Sequence, residues 1–272
     1  MNSELIKILK NFAASSQNIT VLTGAGISAE SGIPTFRGAE GYWTIGSKEY
    51  HPQEMATFSM FSRKPDEVWK WYLYRLNVCG IAKPNTGHYA IVEMERLFGK
   101  RFTLITQNID GLHLKAGSSH EKTYHIHGNI FYMRCSAECS DNLYSVPNTF
   151  QGRPKNTDID EIEQKLLTCP RCGKRTRPHV LWFDETYNEE FFKFHSSLEA
   201  AKNTDLLIVV GTSGATNLPN QIAWEVSRHK GLIIDINIEE NLFSKLAVSN
   251  KGFFIQQESS TALPELVQIF KD

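Results

Sequence analysis

The sequence carries no excess of either charge. Its 29 lysine and arginine residues against 30 aspartate and glutamate residues leave a formal net charge of −1. Without a single-sign field, attraction to nucleic acid or to a membrane surface by net charge is excluded. No apolar run approaches the roughly 18 to 20 residues needed to span a bilayer. There is no internal repeat and no low-complexity segment. Cysteine is scarce, with five in 272 residues; that is not a disulfide scaffold, and a chain of this length needs no such staple. With 41% hydrophobic and 22% charged residues, the composition describes an ordinary globular protein and rules out a disordered one. A monomer or weak oligomer is expected.

The start of the chain interleaves Leu5, Ile6, Ile8 and Leu9 with Glu4, Lys7 and Lys10. That pattern predicts an amphipathic helix over Met1–Phe12 rather than the unbroken apolar stretch of a signal peptide. A cytoplasmic protein with reduced thiols is expected. Next comes a β-rich run, Ile19-Thr20-Val21-Leu22-Thr23, ending at Gly24-Ala25-Gly26. Strand, glycine turn and helix open a nucleotide-binding α/β unit. Phe102–Thr106, Asp205–Val210 and Leu232–Ile236 read as further buried parallel strands, and helical patterns over Pro65–Val78, Thr86–Phe98, Glu189–Lys202 and Gln221–Arg228 separate them. The fold class expected is α/β: a doubly wound, Rossmann-like parallel sheet with a smaller inserted zinc-binding module and a helical insert. The expected division is residues 1–38, 84–128 and 178–272 for the Rossmann-like domain, 39–83 for a helical, aromatic insert and 129–177 for the small module.

Four of the cysteines fall in that small module. Cys135 and Cys139 are separated by three residues, Cys169 and Cys172 by two, with 29 residues between the pairs. Two short loops presenting two thiolates each suit tetrahedral zinc, and Gly173 suits the turn after the last. Four cysteines leave no open coordination position, so one structural Zn2+ is expected. Cys79 lies in a helical pattern and is expected to be packed.

The segment Gly24-Ala25-Gly26-Ile27-Ser28-Ala29-Glu30-Ser31-Gly32-Ile33-Pro34-Thr35-Phe36-Arg37-Gly38 is the most informative in the chain. The generic dinucleotide fingerprint wants a third glycine where Ala29 stands, so that fingerprint fails. As a whole, however, the string resembles the sirtuin family of NAD-dependent protein-lysine deacylases. The resemblance continues in order through Thr106-Gln107-Asn108-Ile109-Asp110-Gly111-Leu112-His113, His127-Gly128, the four cysteines, Arg177-Pro178-His179-Val180 with Phe183, Gly211-Thr212-Ser213 and Asn237.

What the resemblance implies is specific. Gly24, Ala25, Gly26, Ile27, Thr35, Phe36 and Arg37 would hold the pyrophosphate and adjacent ribose of NAD. Gly211, Thr212, Ser213 and Asn237 would hold its adenosine side. Asn108, Ile109 and Asp110 would line the nicotinamide pocket, with Gln107 beside the ribose. His127 matches the catalytic base: after the acyl-lysine oxygen attacks C1′ and nicotinamide leaves, it helps deprotonate a ribose hydroxyl, and O-acyl-ADP-ribose and free lysine follow. His125 is expected to be structural. Val180, Leu181 and Phe183 match the segment that adds an acyl-lysine peptide as a strand.

Tyr72 and Arg75 share a helix face and resemble the Tyr-x-x-Arg pair of sirtuins that remove succinyl, malonyl or glutaryl groups; Arg75 could grip a carboxylate and Tyr72 add a bond. Thr35 and Gly41-Tyr42-Trp43 also resemble that class. Two departures stand out. Asp184 replaces the family's usual glycine and brings a negative charge toward the substrate entrance. Gly214–Pro219 differs from the common apolar continuation. The expected activity is an NAD-dependent deacylase, as deacetylase and desuccinylase or demalonylase. The alternatives are a sirtuin-like ADP-ribosyltransferase or NAD hydrolase and, outside enzymes, a zinc-stabilised NAD-sensing module.

Overall fold

The computed structural model describes residues 2–34, 43–45 (backbone), 48–155 and 157–272. Eleven strands occur among them. They are β1 (Ile19–Thr23), β2 (Trp43–Ile45), β3 (Lys48–Tyr50), β4 (Phe102–Thr106), β5 (Thr123–His125), β6 (Gly128–Cys135), β7 (Tyr144–Ser145), β8 (Thr176–Val180), β9 (Leu206–Val210), β10 (Leu232–Asn237) and β11 (Phe253–Gln256). Six form one parallel sheet in the order β11-β10-β9-β1-β4-β5. Counted along the chain and read from the β5 edge, that order is 3-2-1-4-5-6, the Rossmann arrangement, whose direction of winding reverses between β1 and β9.

The apolar runs become central strands because both sheet faces are covered. All five residues of β1 and of β9 are buried. Ile19, Val21, Leu104 and Ile208 face helices Ser3–Ala13, Thr86–Phe98 and Ser259–Lys271. Leu22, Ile105, Leu207 and Val209 face Leu218, Ile222, Val226 and Phe243 on helices Asn217–Arg228 and Leu242–Ser249. A third apolar cluster joins Met55–Ala82 side chains, including Trp69, Trp71 and Tyr72, to Ile130, Met133, Phe150 and Leu167, with Val180 and Trp182 from the segment that returns to the large sheet. Strands β7-β6-β8 form an antiparallel three-stranded sheet beneath that cluster, and the Trp69 indole N–H donates to the Thr176 carbonyl of β8 at 2.9 Å.

The four expected strands are present, and β5 and β11 join them. β5 is three residues long, below the length at which periodicity can be read; the Phe253-Phe254-Ile255 run of β11 was visible. Glu189–Lys202 is two helices, Glu189–Phe192 and Phe194–Lys202, because Lys193 takes φ 53° and ends the first turn. The helix expected from Gln221 begins at Asn217; Pro219 sits in its first turn, where no intrahelical N–H is required. Among the described residues, no helix is long and apolar enough to cross a membrane.

Candidate active site

The motif segments lie at the carboxyl ends of the parallel strands. Gly24 follows β1, Gln107 follows β4, His127 comes two residues after β5, Gly211 follows β9, and Asn237 ends β10. Open α/β sheets bind ligands at this edge, beside the reversal point. The loops there are tied to one another. The Gly24 N–H donates to Val210 O at 2.9 Å and the Gly26 N–H to Gly211 O at 2.8 Å. A Cβ on Gly24 would lie 2.6 Å from Thr212 Cβ, and one on Gly26 2.6 Å from Gly211 Cα. The glycines therefore let two protein loops meet. The helix after the turn is short, Gly26–Ala29, so little dipole is available there. Thr35, Phe36, Arg37, Gly41 and Tyr42 lie outside the described residues, and Trp43 is described only as backbone in β2.

Gln107 bridges these loops. Its Nε2 donates to Thr212 Oγ1 at 2.9 Å, and its Oε1 accepts from Thr216 Oγ1 at 3.0 Å. Asn237 Nδ2 donates to the Thr212 carbonyl at 3.0 Å. Thr212 is buried, and Ser213 beside it is exposed. Asn108, Ile109 and Asp110 are buried. Asn108 Nδ2 donates to Gly24 O at 3.0 Å and to Ser28 Oγ at 3.1 Å, and Ser28 Oγ in turn donates to Asp110 Oδ2 at 2.7 Å. Asp110 Oδ1 accepts from the Leu112 N–H at 2.9 Å. Burial raises the Asp110 carboxyl, opposed by those two donors and by the charge of Arg75. Ser28, fully buried between Asn108 and Asp110, escaped the sequence reading although it stands inside the quoted loop.

His127 is held at both ring nitrogens. Nδ1 lies 3.0 Å from the Gln107 carbonyl, which can only accept, so the Nδ1–H tautomer is fixed. Nε2 lies 2.8 Å from the Tyr187 hydroxyl. Burial pulls the imidazole down to about 4, with the Gln107 bond opposing, so at neutral pH the ring is uncharged. The next residue fixes the backbone. Gly128 has φ +84°, and a Cβ there would lie 2.1 Å from the His179 carbonyl oxygen. The His127 carbonyl accepts from the Leu181 N–H at 3.0 Å, so the histidine and the Val180–Phe183 segment are one unit. Gly128→Ala is expected to cost more than about 3 kcal/mol, from positive-φ strain plus a backbone clash; chemical denaturation measures it, and a variant as stable as wild type would refute the packing account.

Val180 is buried, Leu181 is half-buried and Phe183 is 56% exposed, with its N–H donating to Ala56 O at 2.9 Å. Between them Trp182, missed in sequence, is buried under the Arg177 guanidinium, 3.5 Å from the ring centroid. The Trp182 indole N–H donates to the Tyr72 hydroxyl at 2.9 Å. Tyr72 is thus buried in the third cluster, not lining open space, and burial pushes its phenol upward. Its own proton is still available to donate. Arg75 packs over Trp71, 5.3 Å from the ring centroid, and its charge acts on Tyr72, Cys79 and Asp110. Cys79 is buried as expected, its thiol pushed up to about 12.

The Asp184 departure has a structural cause. Its carboxylate accepts from the Phe58 N–H at 2.7 Å and the Ser59 N–H at 3.0 Å, capping helix Phe58–Arg63. Its charge is therefore directed at that helix end. A cavity of about 490 Å³ lined by Lys48, Tyr50, Arg63, Lys64 and Asp184 opens there, and His127 is not among its lining residues. Gly214–Pro219 supplies Thr216, the donor to Gln107.

The four thiols of the small module converge as the spacing predicts. Sγ atoms of Cys135, Cys139, Cys169 and Cys172 lie within 4.8 Å of one another. Cys135 and Cys172 are 3.4 Å apart, Cys139 and Cys169 3.6 Å. Tetrahedral zinc with Zn–S of 2.3 Å needs about 3.8 Å between sulfurs. The donor set fits one such ion. Gly173 takes φ +69° in the second loop. His125 is half-buried, with both ring nitrogens out of solvent, and desolvation pulls it down to about 4.

Residues 24–217 match the Sir2 family. The chain belongs to the Sir2 family. Its relatives include the NAD-dependent protein deacylase of Leptospira interrogans serogroup Icterohaemorrhagiae serovar Lai (strain 56601), 41% identical over 256 residues and 94% of each chain. The NAD-dependent protein deacylase of Pyrococcus abyssi (strain GE5 / Orsay) is 38% identical over 93% of each chain. Among solved structures, a Sir2 homologue in complex with NAD matches with a TM-score of 0.82 and 33% identity, covering all of this chain and 94% of that one. A mutant Sir2 homologue in complex with 2′-O-acetyl ADP-ribose matches with a TM-score of 0.81 and 33% identity, covering all of this chain and 97% of that one. The Sir2 fold accounts for the Rossmann order of the sheet and for the four-cysteine cluster, and NAD suits the neutral hydroxyl and amide donors at the sheet edge.

Proposed function

We propose that this Sir2-family chain is an NAD-dependent protein-lysine deacylase that releases nicotinamide, free lysine and O-acyl-ADP-ribose, and that it prefers acidic acyl groups. The observation that carries the reaction is His127, uncharged and tautomer-fixed by Gln107, at the edge where Asn108 and Asp110 are also gathered. The names of the Leptospira and Pyrococcus relatives support it. In this reading Gly24–Ile27 with Thr35, Phe36 and Arg37 bind the pyrophosphate, and Gly211, Thr212, Ser213 and Asn237 bind the adenosine. NAD, when bound, supplies the glycosidic carbon at which nicotinamide is lost. Asn108, Ile109 and Asp110 bind the carboxamide in a dry pocket, where its polar atoms need fixed partners. Gln107 borders the ribose, and His127 accepts a proton from a ribose hydroxyl. In this reading Val180, Leu181 and Phe183 receive an extended acyl-lysine peptide as an added strand.

Acidic acyl preference rests on Arg75 and Tyr72. An acetyl group offers no partner to a guanidinium, whereas a succinyl carboxylate can take two charge-assisted bonds. Arg75→Met is expected to lower desuccinylation at least about 10-fold more than deacetylation, since each lost charged bond is worth roughly 1.5 to 3 kcal/mol. Equal losses would reject the carboxylate clamp.

The reaction is tested by incubating the protein with NAD and acetyl-, succinyl-, malonyl- or long-chain acyl-lysine peptides, with products identified by mass spectrometry. O-acyl-ADP-ribose with free lysine supports deacylation. ADP-ribosylated protein, or free ADP-ribose with the acyl-lysine intact, would replace it with transfer or NAD hydrolysis.

A further inference from the structure

Tyr187 occupies the one basic position that the proposed chemistry needs. With Nδ1–H committed to the Gln107 carbonyl, the lone pair of His127 is on Nε2, and the Tyr187 hydroxyl 2.8 Å away is its donor. One lone pair cannot accept from Tyr187 and from a ribose hydroxyl at the same time. Either the tyrosine leaves, or its oxygen stands between the two.

The surroundings favour the second arrangement, because the tyrosine is anchored on both sides. Two residues before it, Glu185 is paired with the buried Arg177 and accepts from the Trp182 N–H at 2.9 Å. One residue after it, Asn188 accepts from the Phe191 N–H at 2.9 Å and caps the next helix. The ring stacks on Phe194, with centroids 6.3 Å apart and planes at 24°. The Thr216 hydroxyl, which donates to Gln107, also lies within hydrogen-bond reach of the Tyr187 side chain. Tyr187, Thr216, Gln107 and His127 thus form a closed cycle of polar contacts that includes the two residues assigned above to the ribose and its proton.

We propose that Tyr187 is a catalytic residue, a relay that carries the ribose proton to His127; the inference rests on the deacylase reading. The ribose O–H bond breaks and its proton passes to the Tyr187 oxygen. The Tyr187 O–H bond breaks in the same event, and that proton passes to Nε2. Tyrosine ends neutral, His127 ends as imidazolium, and the electron pair left on the ribose oxygen would bond the imidate carbon as that carbon's C=N π pair moves onto the lysine nitrogen. Burial pushes the phenol up to about 12, so it holds the proton it must hand on.

Tyr187→Phe keeps the ring and removes the oxygen. It is expected to lower deacylation about 10²-fold or more. Exchange of labelled nicotinamide into NAD in the presence of acyl peptide precedes the proton transfer and should fall at least 10-fold less. A second readout needs no cofactor. In the free protein, 15N NMR should show the His127 ring titrating at higher pH in the variant, because the neutral imidazole has lost its donor. Unimpaired deacylation, equal losses of exchange and deacylation, or an unmoved His127 titration would each overturn the relay. If the wild-type protein consumes no NAD with any acyl peptide, the deacylase reading itself fails and the relay falls with it, an outcome visible before any variant is made.

Discussion

Replacing His127 with alanine is expected to lower deacylation by about 10² to 10⁴-fold, the usual contribution of a positioned general base. The ring is uncharged because burial pulls it down to about 4, so its lone pair is available at neutral pH without competition from a proton. The Gln107 carbonyl fixes which nitrogen carries that lone pair. The fold should survive. The histidine side chain belongs to none of the three apolar clusters, and the backbone bond from Leu181 to the residue 127 carbonyl does not depend on the ring. Thermal unfolding should stay within a few degrees of wild type, and calorimetric NAD binding should be largely retained. Full activity in the variant would remove His127 from the mechanism. Lost activity together with lost NAD binding would make it a binding residue instead.

Removing the metal is expected to have the largest effect on stability. Apparent zinc-binding energies for four-ligand structural sites are about 10 to 16 kcal/mol, more than most domains have in net stability. The small module's own secondary structure is slight, and its buried Ile130, Met133, Phe150 and Leu167 pack against side chains of Met55–Ala82. Helix Glu161–Leu166 buries none of its residues, and among the described residues three strands pair there. The damage should reach the active site, because β6 starts directly after His127 and β8 ends at Val180. Strong chelation, or Cys169→Ala, should therefore lower the melting temperature sharply, and activity should disappear in step with unfolding measured by circular dichroism. Four thiolates leave the metal no open position. A chelated protein that stayed folded but lost turnover would show that the metal takes part in chemistry.

Much of the site was legible because it is written in short segments. Gln107–Asp110 and Gly24–Ile27 each follow a strand, and strand ends are where a parallel sheet exposes polar groups. The cysteine spacing already implied two loops with two thiolates each. The loop contact that Gly24 and Gly26 permit was not legible. Their missing side chains make room for the Gly211–Thr212 loop, which is 185 or more positions away, and no local pattern signals that approach. Asp184 read as a stray charge at the entrance; it is a cap for a helix that begins at Phe58. Tyr72 read only as a partner of Arg75 on one helix face; in the fold its hydroxyl also accepts from the buried Trp182 indole. In each case the partner is remote in sequence, and the contact exists only after packing.

By itself, then, the chain's order of residues determined its parallel α/β class and its metal loops, which follow from periodicity and spacing within a few neighbours, and it carried the ordered segments by which the chain resembles its family. Tertiary structure alone decided that Tyr187 meets His127 across 60 positions, that Ser28 joins Asn108 to Asp110, and that Arg75 acts on the Asp110 carboxyl. The physical reason is burial. Whether a hydroxyl or a carboxylate is a solvated ornament or a committed partner depends on which groups exclude water from it, and those come from distant parts of the chain.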